Sequence, residues 1–481
     1  RTLVINEEVM QIKTALTYDD VLLVPQKSDI KSRQDVDISS RLTKNIILKT
    51  PIVSSNMDTV TESKMAITMA LAGGIGFIHR FCSIEYQIKE VERVKRKQNI
   101  IIDNPFIVSP KNTLLEVKEK IKEYNCKSFL VTDDSQKLLG ILTKRDSFFA
   151  QHDDVLVEDL MTPKSKLVTA PYDITPTKAR ELMNNNKVEK LPLVDENFKI
   201  RGLITATDIA KNYNNVFASK DSKGRLIVGA AVGIRGDYME RVDALVKAEA
   251  DVIVVDIAHG HSENEIAVIK AIKKRHPNVE IVGGNVATAK AALDLIKAGA
   301  DCIKIGVGPG STCITRTTTG FGVPQLTAVF NAARVCKKYD IPLIADGGIK
   351  QPGDMVKALA AGADSVMLGG QLSGTKETPG PTITYHGQQY KISRGMASLT
   401  AALSRPDAKE NMGDITPEGV EARVPYRGPS QNIINQYIGG LRSGMSYGNA
   451  RNLSELQANA EFVRITNSGI RESTSHDNIV L

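Results

Sequence analysis

Tryptophan is absent from the 481 residues, aromatic residues of all kinds amount to 5%, and no apolar run is long enough to cross a bilayer. With 42% apolar and 24% charged residues and a mean hydropathy of −0.16, the composition is that of a soluble globular protein. Its length suits one large domain with an insert, or roughly two to four ordinary domains. Cysteine is sparse: five residues (82, 126, 302, 313 and 336), an odd number with no Cys-x-x-Cys pair, which argues against a disulfide framework and for a reducing compartment. The seven histidines offer no metal-ligand spacing, and no zinc site is expected at His259 and His261, two apart in a glycine-rich turn. No signal peptide is recognisable and residues 479–481 are not a Ser-Lys-Leu address, so the expected location is the cytoplasm. Position 1 is Arg rather than Met, so a few native residues are expected to precede it. Neither sign of charge dominates. The net charge is +7, and the densest basic run, residues 93–97, has the pattern of a solvated helix face. Such a surface suits anionic nucleotides without implying nucleic acid.

What the chain does have is glycine following short β-branched runs. Residues 304–325 read Lys-Ile-Gly-Val-Gly-Pro-Gly-Ser-Thr-Cys-Ile-Thr-Arg, then Thr-Thr-Thr-Gly-Phe-Gly-Val-Pro-Gln. Ile303 and Ile305 deliver the backbone into a loop of glycines that can take unusual φ/ψ and leave amide N–H groups open to an anion or a cofactor edge. Cys313 stands at its tip. Ser311, Thr315 and Arg316 add hydroxyl donors and a cation, which suit a thiolate nucleophile. A lone intracellular cysteine is more often a small buried hydrophobe, but the surrounding glycines argue for function.

Elsewhere a strand, loop and helix rhythm repeats. Residues 52–54 open into Ser55-Asn56-Met57-Asp58, the apolar period turns helical through Met65, Ile67, Met69 and Leu71, and Gly73-Gly74 precedes a new run at 75–78. The order resumes with runs at 226–232, 252–256, 280–283, 302–305, 343–345 and 365–368. They end in polar or glycine-rich turns that include Asp256, Gly284-Asn285, Asp346-Gly347-Gly348 and Gly369-Gly370. This predicts an α/β fold, a closed (β/α)8 TIM barrel with its polar clusters at the C-terminal ends of the strands. Between the early and late units lie two segments of similar layout, about 60 residues each, running helix, strand, strand. They close on Thr143-Lys144-Arg145-Asp146 and Thr205-Ala206-Thr207-Asp208. The expected domains are a first part of the barrel (1–103), an inserted repeat pair (104–160 and 161–215), and the rest of the barrel with a flap and C-terminal segment (216–481).

Gly306-Val307-Gly308-Pro309-Gly310-Ser311-Thr312-Cys313-Ile314-Thr315-Arg316 resembles the catalytic cysteine loop of the IMP dehydrogenase and GMP reductase superfamily. Residues 16–25 resemble its N-terminal signature, and the repeat pair resembles a tandem CBS (Bateman) module, so the resemblance covers most of the chain. It implies attack of the Cys313 thiolate on C2 of GMP or IMP, with Thr315 and Glu418 handling protons. By the same resemblance Ser55, Met57, Ser311, Asp346, Gly348, Gly369, Gly370, Gly395 and Met396 would hold the nucleotide. Asp256, Asn285 and Arg316 would face the nicotinamide of NADPH, or of NAD under the alternative. Carbonyls of Gly306, Gly308 and Cys313, with Glu472 of this or a neighbouring subunit, would bind K+ or another monovalent cation. Asp146 and Asp208 would take ribose hydroxyls of regulatory purine nucleotides. The implied assembly is a homotetramer, with an octamer as alternative, and neither nucleic acid nor membrane is implied as a partner.

The direction of the reaction turns on one departure. Dehydrogenases of this superfamily activate water with an Arg-Tyr pair on a mobile flap, and residues 398–414 contain none. GMP reductases do not hydrolyse their adduct. Asn56-Met57-Asp58, Gly369-Gly370, Ser393 and Gly395-Met396-Ala397-Ser398 lean the same way, whereas the insert and Arg423-Val424-Pro425-Tyr426-Arg427-Gly428 are commoner among dehydrogenases. The sequence is thus expected to be nearest a CBS-containing GMP reductase. The alternatives are an IMP dehydrogenase and a catalytically silent, nucleotide-sensing scaffold.

Overall fold

Eight short runs of β-branched and small apolar residues form strands that are buried on both faces, which is why they read as near-continuous hydrophobic stretches rather than as alternating ones. They are Ile52–Ser54 (β1), Ile75–Ile78 (β2), Gly229–Val232 (β3), Val252–Asp256 (β4), Glu280–Val286 (β5), Cys302–Ile305 (β6), Leu343–Asp346 (β7) and Ser365–Leu368 (β8). The computed structural model describes residues 12–97, 101–102, 105–124, 126, 128–143, 145–146, 150, 152–213, 217–403 and 416–473. In it the eight strands pair in parallel and close into a barrel in chain order, β8 meeting β1 through Val366↔Ile52. Helices follow the strands: Ser63–Leu71 (α1), Ile84–Lys97 (α2), Tyr238–Lys247 (α3), Glu263–Arg275 (α4), Ala289–Ala298 (α5), Gln325–Lys338 (α6), Pro352–Ala360 (α7) and Ser430–Tyr447 (α8). The expected (β/α)8 barrel is therefore the observed fold.

Local signals set these boundaries. The Ser262 hydroxyl accepts from Glu265 N at the start of α4, and Thr288 accepts from Ala291 N at the start of α5. Gly299 ends α5 in the left-handed region at φ 110°. Val53, Phe77, Ala231, Val254, Val282, Ile344 and Met367 fill the barrel interior. A Cβ on Gly229 would lie 2.2 Å from the Phe77 ring, so glycine at the first position of β3 is what lets that ring pack inside. Ile47–Leu48 pairs with Ser40–Arg41 in a separate hairpin, and Leu42 and Leu48 join the same apolar cluster.

Residues 95–216 and 220–226 make a second compact unit. Its sheets run Thr162–Pro163, Leu138–Thr143, Ser128–Thr132, Ile107–Val108, and Lys190–Val194, Ile200–Thr205, Ile101–Ile102. Each half has a helix (Leu114–Tyr124, Pro176–Asn186) before an antiparallel strand pair, the layout expected of the repeat.

Candidate active site

The C-terminal ends of the barrel strands surround a cleft of about 390 Å³, within the usual range for small-molecule sites. Ser55 and Met57 reach it from the end of β1, Asp256 from β4, Asn285 from β5, Gly306 and Gly308 from the loop after β6, and Asp346 from β7. Cys313, Thr315, Gly395, Met396 and Glu418 complete this set. Twelve of the expected residues thus share one wall-to-wall space.

Backbone contacts clamp the cysteine loop in place. Ile314 N donates to Glu418 O at 2.8 Å, Val420 N to Thr312 O at 2.9 Å, and Cys313 bridges Gly419. A Cβ on Gly395 would lie 2.8 Å from Thr312 O, so glycine there permits the close approach. The result brings Cys313 and Glu418 to one side of the cleft, with Cys313 Sγ 3.1 Å from Thr315 Oγ1.

Other expected residues lie around the rim. A Cβ on Gly370 would lie 2.4 Å from Ser311 Oγ, and one on Gly369 would lie 3.3 to 3.4 Å from Met57 and Ser55. These two glycines therefore leave an open cradle lined by hydroxyls. Gly348 N donates to Pro309 O at 3.1 Å, which joins the loop after β7 to the cysteine loop. Arg427 Nη1 donates to Gly370 O and Gln371 O. Arg316 does not line the cleft. Its Nε donates to Val307 O at 3.2 Å and its Nη2 to Val323 O at 2.7 Å, space for which comes from Gly308 and Gly322. Burial holds its guanidinium below the ordinary value against the pull of Cys313.

The cation donor set is oxygen-rich, and Gly306, Gly308 and Cys313 line the cleft whereas Glu472 does not. Gly306 O accepts from Asn285 Nδ2 at 2.8 Å, and Glu472 is exposed at the end of helix Asn467–Glu472, outside the cleft lining. In the second unit the Asp146 carboxylate accepts from Thr143 N and Oγ1, and Asp208 accepts from Thr205 Oγ1, so the two occupy equivalent helix starts after a strand. A cavity of about 550 Å³ between helices Pro176–Asn186 and Ala206–Tyr213 includes neither aspartate. Of the flap stretch, residues 398–403 are described, with a helix at Leu399–Leu403, and 404–414 lie outside the described residues.

Lys304, on β6, had no role in the sequence reading. Its side chain is buried, and Nζ donates to Asp256 Oδ1 at 2.9 Å, to Asp346 Oδ2 at 3.1 Å and to Asn285 Oδ1. Burial alone would lower the Lys304 ammonium, but Asp256 and Asp346 outweigh it and hold it above its ordinary value. Burial would likewise raise Asp256, and Lys304 instead holds it below the usual carboxylate range. Asn285 Nδ2 donates to Asp346 Oδ2 at 2.8 Å and so closes the network. The signal was in the sequence: a lysine between Ile303 and Ile305, inside a strand buried on both faces, must be paired.

A thiol on a glycine loop, a neighbouring hydroxyl and carboxylate, and a buried polar network at the strand ends suit a (β/α)8-barrel enzyme. Residues 15–476 match the model for the IMP dehydrogenase / GMP reductase domain, and the chain belongs to that family of oxidoreductases. It is 50% identical over 476 residues to a GMP reductase from Leishmania major, covering 96% of each chain. It is 51% identical over 473 residues to an inosine-5'-monophosphate dehydrogenase from Aquifex aeolicus, covering 97% of this chain and 96% of the relative. A crystal structure of a Trypanosoma brucei GMP reductase with a cysteine-to-alanine substitution, in complex with guanosine 5'-monophosphate, superposes with a TM-score of 0.87 at 46% identity. That match covers 98% of this chain and all of the other. The family uses nicotinamide cofactors. The donor set here fits one, since the Asp256 carboxylate on the cleft wall can accept from a carboxamide or a ribose hydroxyl.

Proposed function

We propose that this chain is a GMP reductase, converting GMP to IMP and ammonia with NADPH through a covalent bond between Cys313 and purine C2. One observation carries the reading: Cys313, Thr315 and Glu418 share one cleft, while residues 398–414 contain no Arg-Tyr pair to activate water. The Cys313 thiolate attacks C2, and the 2-amino group, protonated through Glu418 and Thr315, leaves as ammonia, so that a C–S bond replaces a C–N bond. A reduced nicotinamide, when bound, supplies hydride to that carbon. The C–S bond then breaks, its electron pair returns to sulfur, and IMP is released. Ser311 beside Gly370, with Gly348, offers the hydroxyl and the N–H-rich turn suited to the 5'-phosphate, and Asp346 offers a carboxylate to the ribose. Asp256 and Asn285, tied together by Lys304, would face the nicotinamide.

The proposal extends, on resemblance, to residues 104–215 as a CBS pair binding purine nucleotides at Asp146 and Asp208, to a monovalent cation at the cysteine loop, and to a homotetramer. IMP dehydrogenase remains the second reading because Glu421–Pro425, leading into Tyr426-Arg427-Gly428, pairs with Gln388–Arg394 and so supports a segment common in dehydrogenases. The full chain is mixed with GMP and NADPH, then with IMP and NAD, while nicotinamide absorbance is followed. Consumption of NADPH with GMP alone is expected. NADH formation from IMP with accumulation of XMP would overturn the reductase reading, and no change in either mixture would favour a silent scaffold.

A further inference from the structure

Glu265 lies in the first turn of α4, where an acidic side chain ordinarily reaches out to solvent and favours the helix dipole. Here it turns inward and is fully buried. Its Oε1 accepts from Gly284 N at 2.7 Å, and its Oε2 is buried without a hydrogen-bond partner. Two glycines make the slot. A Cβ on Gly260 would lie 2.5 Å from Oε2, and one on Gly283 would lie 3.4 Å from Oε1. Above the carboxyl the loop after β4 is laced to the end of β5: Ile257 N donates to Gly284 O, Asn285 N to Ile257 O, and Gly260 N to Asn285 O. These two strand ends carry Asp256 and Asn285. The charged groups that bear on Glu265 are Asp256 on β4 and Lys304 on β6.

We propose that Glu265 is a positioning residue: a neutral, buried carboxylic acid that fixes the Gly284-Asn285 end of β5 and, through Asn285, holds Lys304 and Asp256 at the nicotinamide end of the cleft. This rests on the reading that Asp256 and Asn285 face the nicotinamide. Burial, above all, pushes the carboxyl up to about 9, with Asp256 adding to the rise and the Gly284 N–H opposing it. An ionised Glu265 would set a second buried carboxylate beside Asp256, so the positioning depends on the proton. Turnover should accordingly fall as pH rises through that value.

The test compares the full chain with Glu265→Gln and Glu265→Met. Gln keeps an oxygen for Gly284 N and carries no charge, whereas Met orphans that N–H at similar volume. At neutral pH the Gln variant should keep turnover within about threefold of wild type, and the Met variant should lose about tenfold or more in kcat with a raised KM for the dinucleotide. Wild type should lose activity through about pH 9, and the Gln variant should lack that limb. The purine nucleotide and dinucleotide used are whichever pair wild type turns over, so failure of the reductase reading leaves this comparison intact. Two readouts need no turnover. NADPH titration should show weaker binding to the Met variant than to the Gln variant. Thermal unfolding should show wild type losing stability relative to the Gln variant as pH rises from about 4.5 to about 9, because a raised folded value gives stability that is present at low pH and lost above it. A Gln variant as impaired as Met, or a wild-type minus Gln difference that does not change with pH, would overturn the proposal.

Discussion

Replacing Lys304 with Met removes the one ammonium that bonds Asp256, Asp346 and Asn285 while nearly conserving volume. Breaking a buried pair by removing one partner costs about 3–5 kcal/mol, because the other charge stays buried and uncompensated. Two carboxylates are stranded here, which places the effect at the upper end of that range. At roughly 2–4 °C per kcal/mol for a domain of 150–250 residues, and less for a longer chain, the unfolding temperature should drop by about 5–15 °C at neutral pH. The pH dependence separates charge from packing. In wild type, Asp256 is held below its ordinary 3.8, so it contributes stability above that value and loses it as pH falls through its folded value. Without Lys304, the largest influence on Asp256 is burial, which raises it, and only Arg80 and the Asn56 hydrogen bond are left to oppose that rise, so the stability the group contributes above pH 3.8 is lost. The gap between wild type and Lys304→Met should therefore be small near pH 4 and widen towards pH 7, as read by calorimetry or circular dichroism. Adding Asp256→Asn to the variant should restore part of the loss. An equal deficit at pH 4 and pH 8, with no rescue by Asp256→Asn, would refute the electrostatic account and leave only a packing defect.

Cys313→Ala should abolish turnover in either direction while leaving the unfolding temperature within about a degree of wild type, since the thiol is half-buried and, among the described residues, its hydrogen bond is to Thr315 Oγ1. Residual turnover in quantitative rate assays would remove the nucleophile assignment. Glu418→Gln should lower kcat by about 10²–10⁴ with little change in the nucleotide KM, the signature of lost proton transfer; an unchanged kcat would argue against it. Gly370→Ala sets a methyl 2.4 Å from Ser311 Oγ and should raise the nucleotide KM by tenfold or more, measured with the monophosphate and with the free nucleoside. An equal effect on both would show that the cradle does not serve the phosphate.

The barrel was readable because its strands are buried on both faces. Val252–Asp256 and Cys302–Ile305 are apolar almost throughout, and each ends where the polar residues begin. The cysteine loop and the glycine turns were readable for a related reason, since few residues other than glycine tolerate such close backbone approach. Side-chain direction was not readable. Arg316, three residues after Cys313, reads as a cation beside a thiol, yet positive-φ glycines at 308 and 322 let it fold back onto carbonyls of its own loop. Burial of Lys304 was legible from Ile303 and Ile305 on either side of it, whereas that of Glu265 was not, because sequence gives the residue type and spacing but not which face of a helix is covered. Arg394, whose side chain bonds Asp58 and ties strand Gln388–Arg394 to the turn after β1, was missed for the same reason.

The pairing of β2 with β3 joins Phe77 to Gly229 and Ile78 to Ala230, so the ring is sealed by residues that stand far apart along the chain. Relative to a connection of about 30 residues, one of about 150 adds roughly 1.4 kcal/mol of closure entropy, a small equilibrium term that falls wholly on the search before sealing. Whatever condenses the intervening residues early shortens that search. Early folding of the inserted residues should therefore hasten closure of the cylinder, and lesions confined to them should surface as slower recovery of activity on refolding.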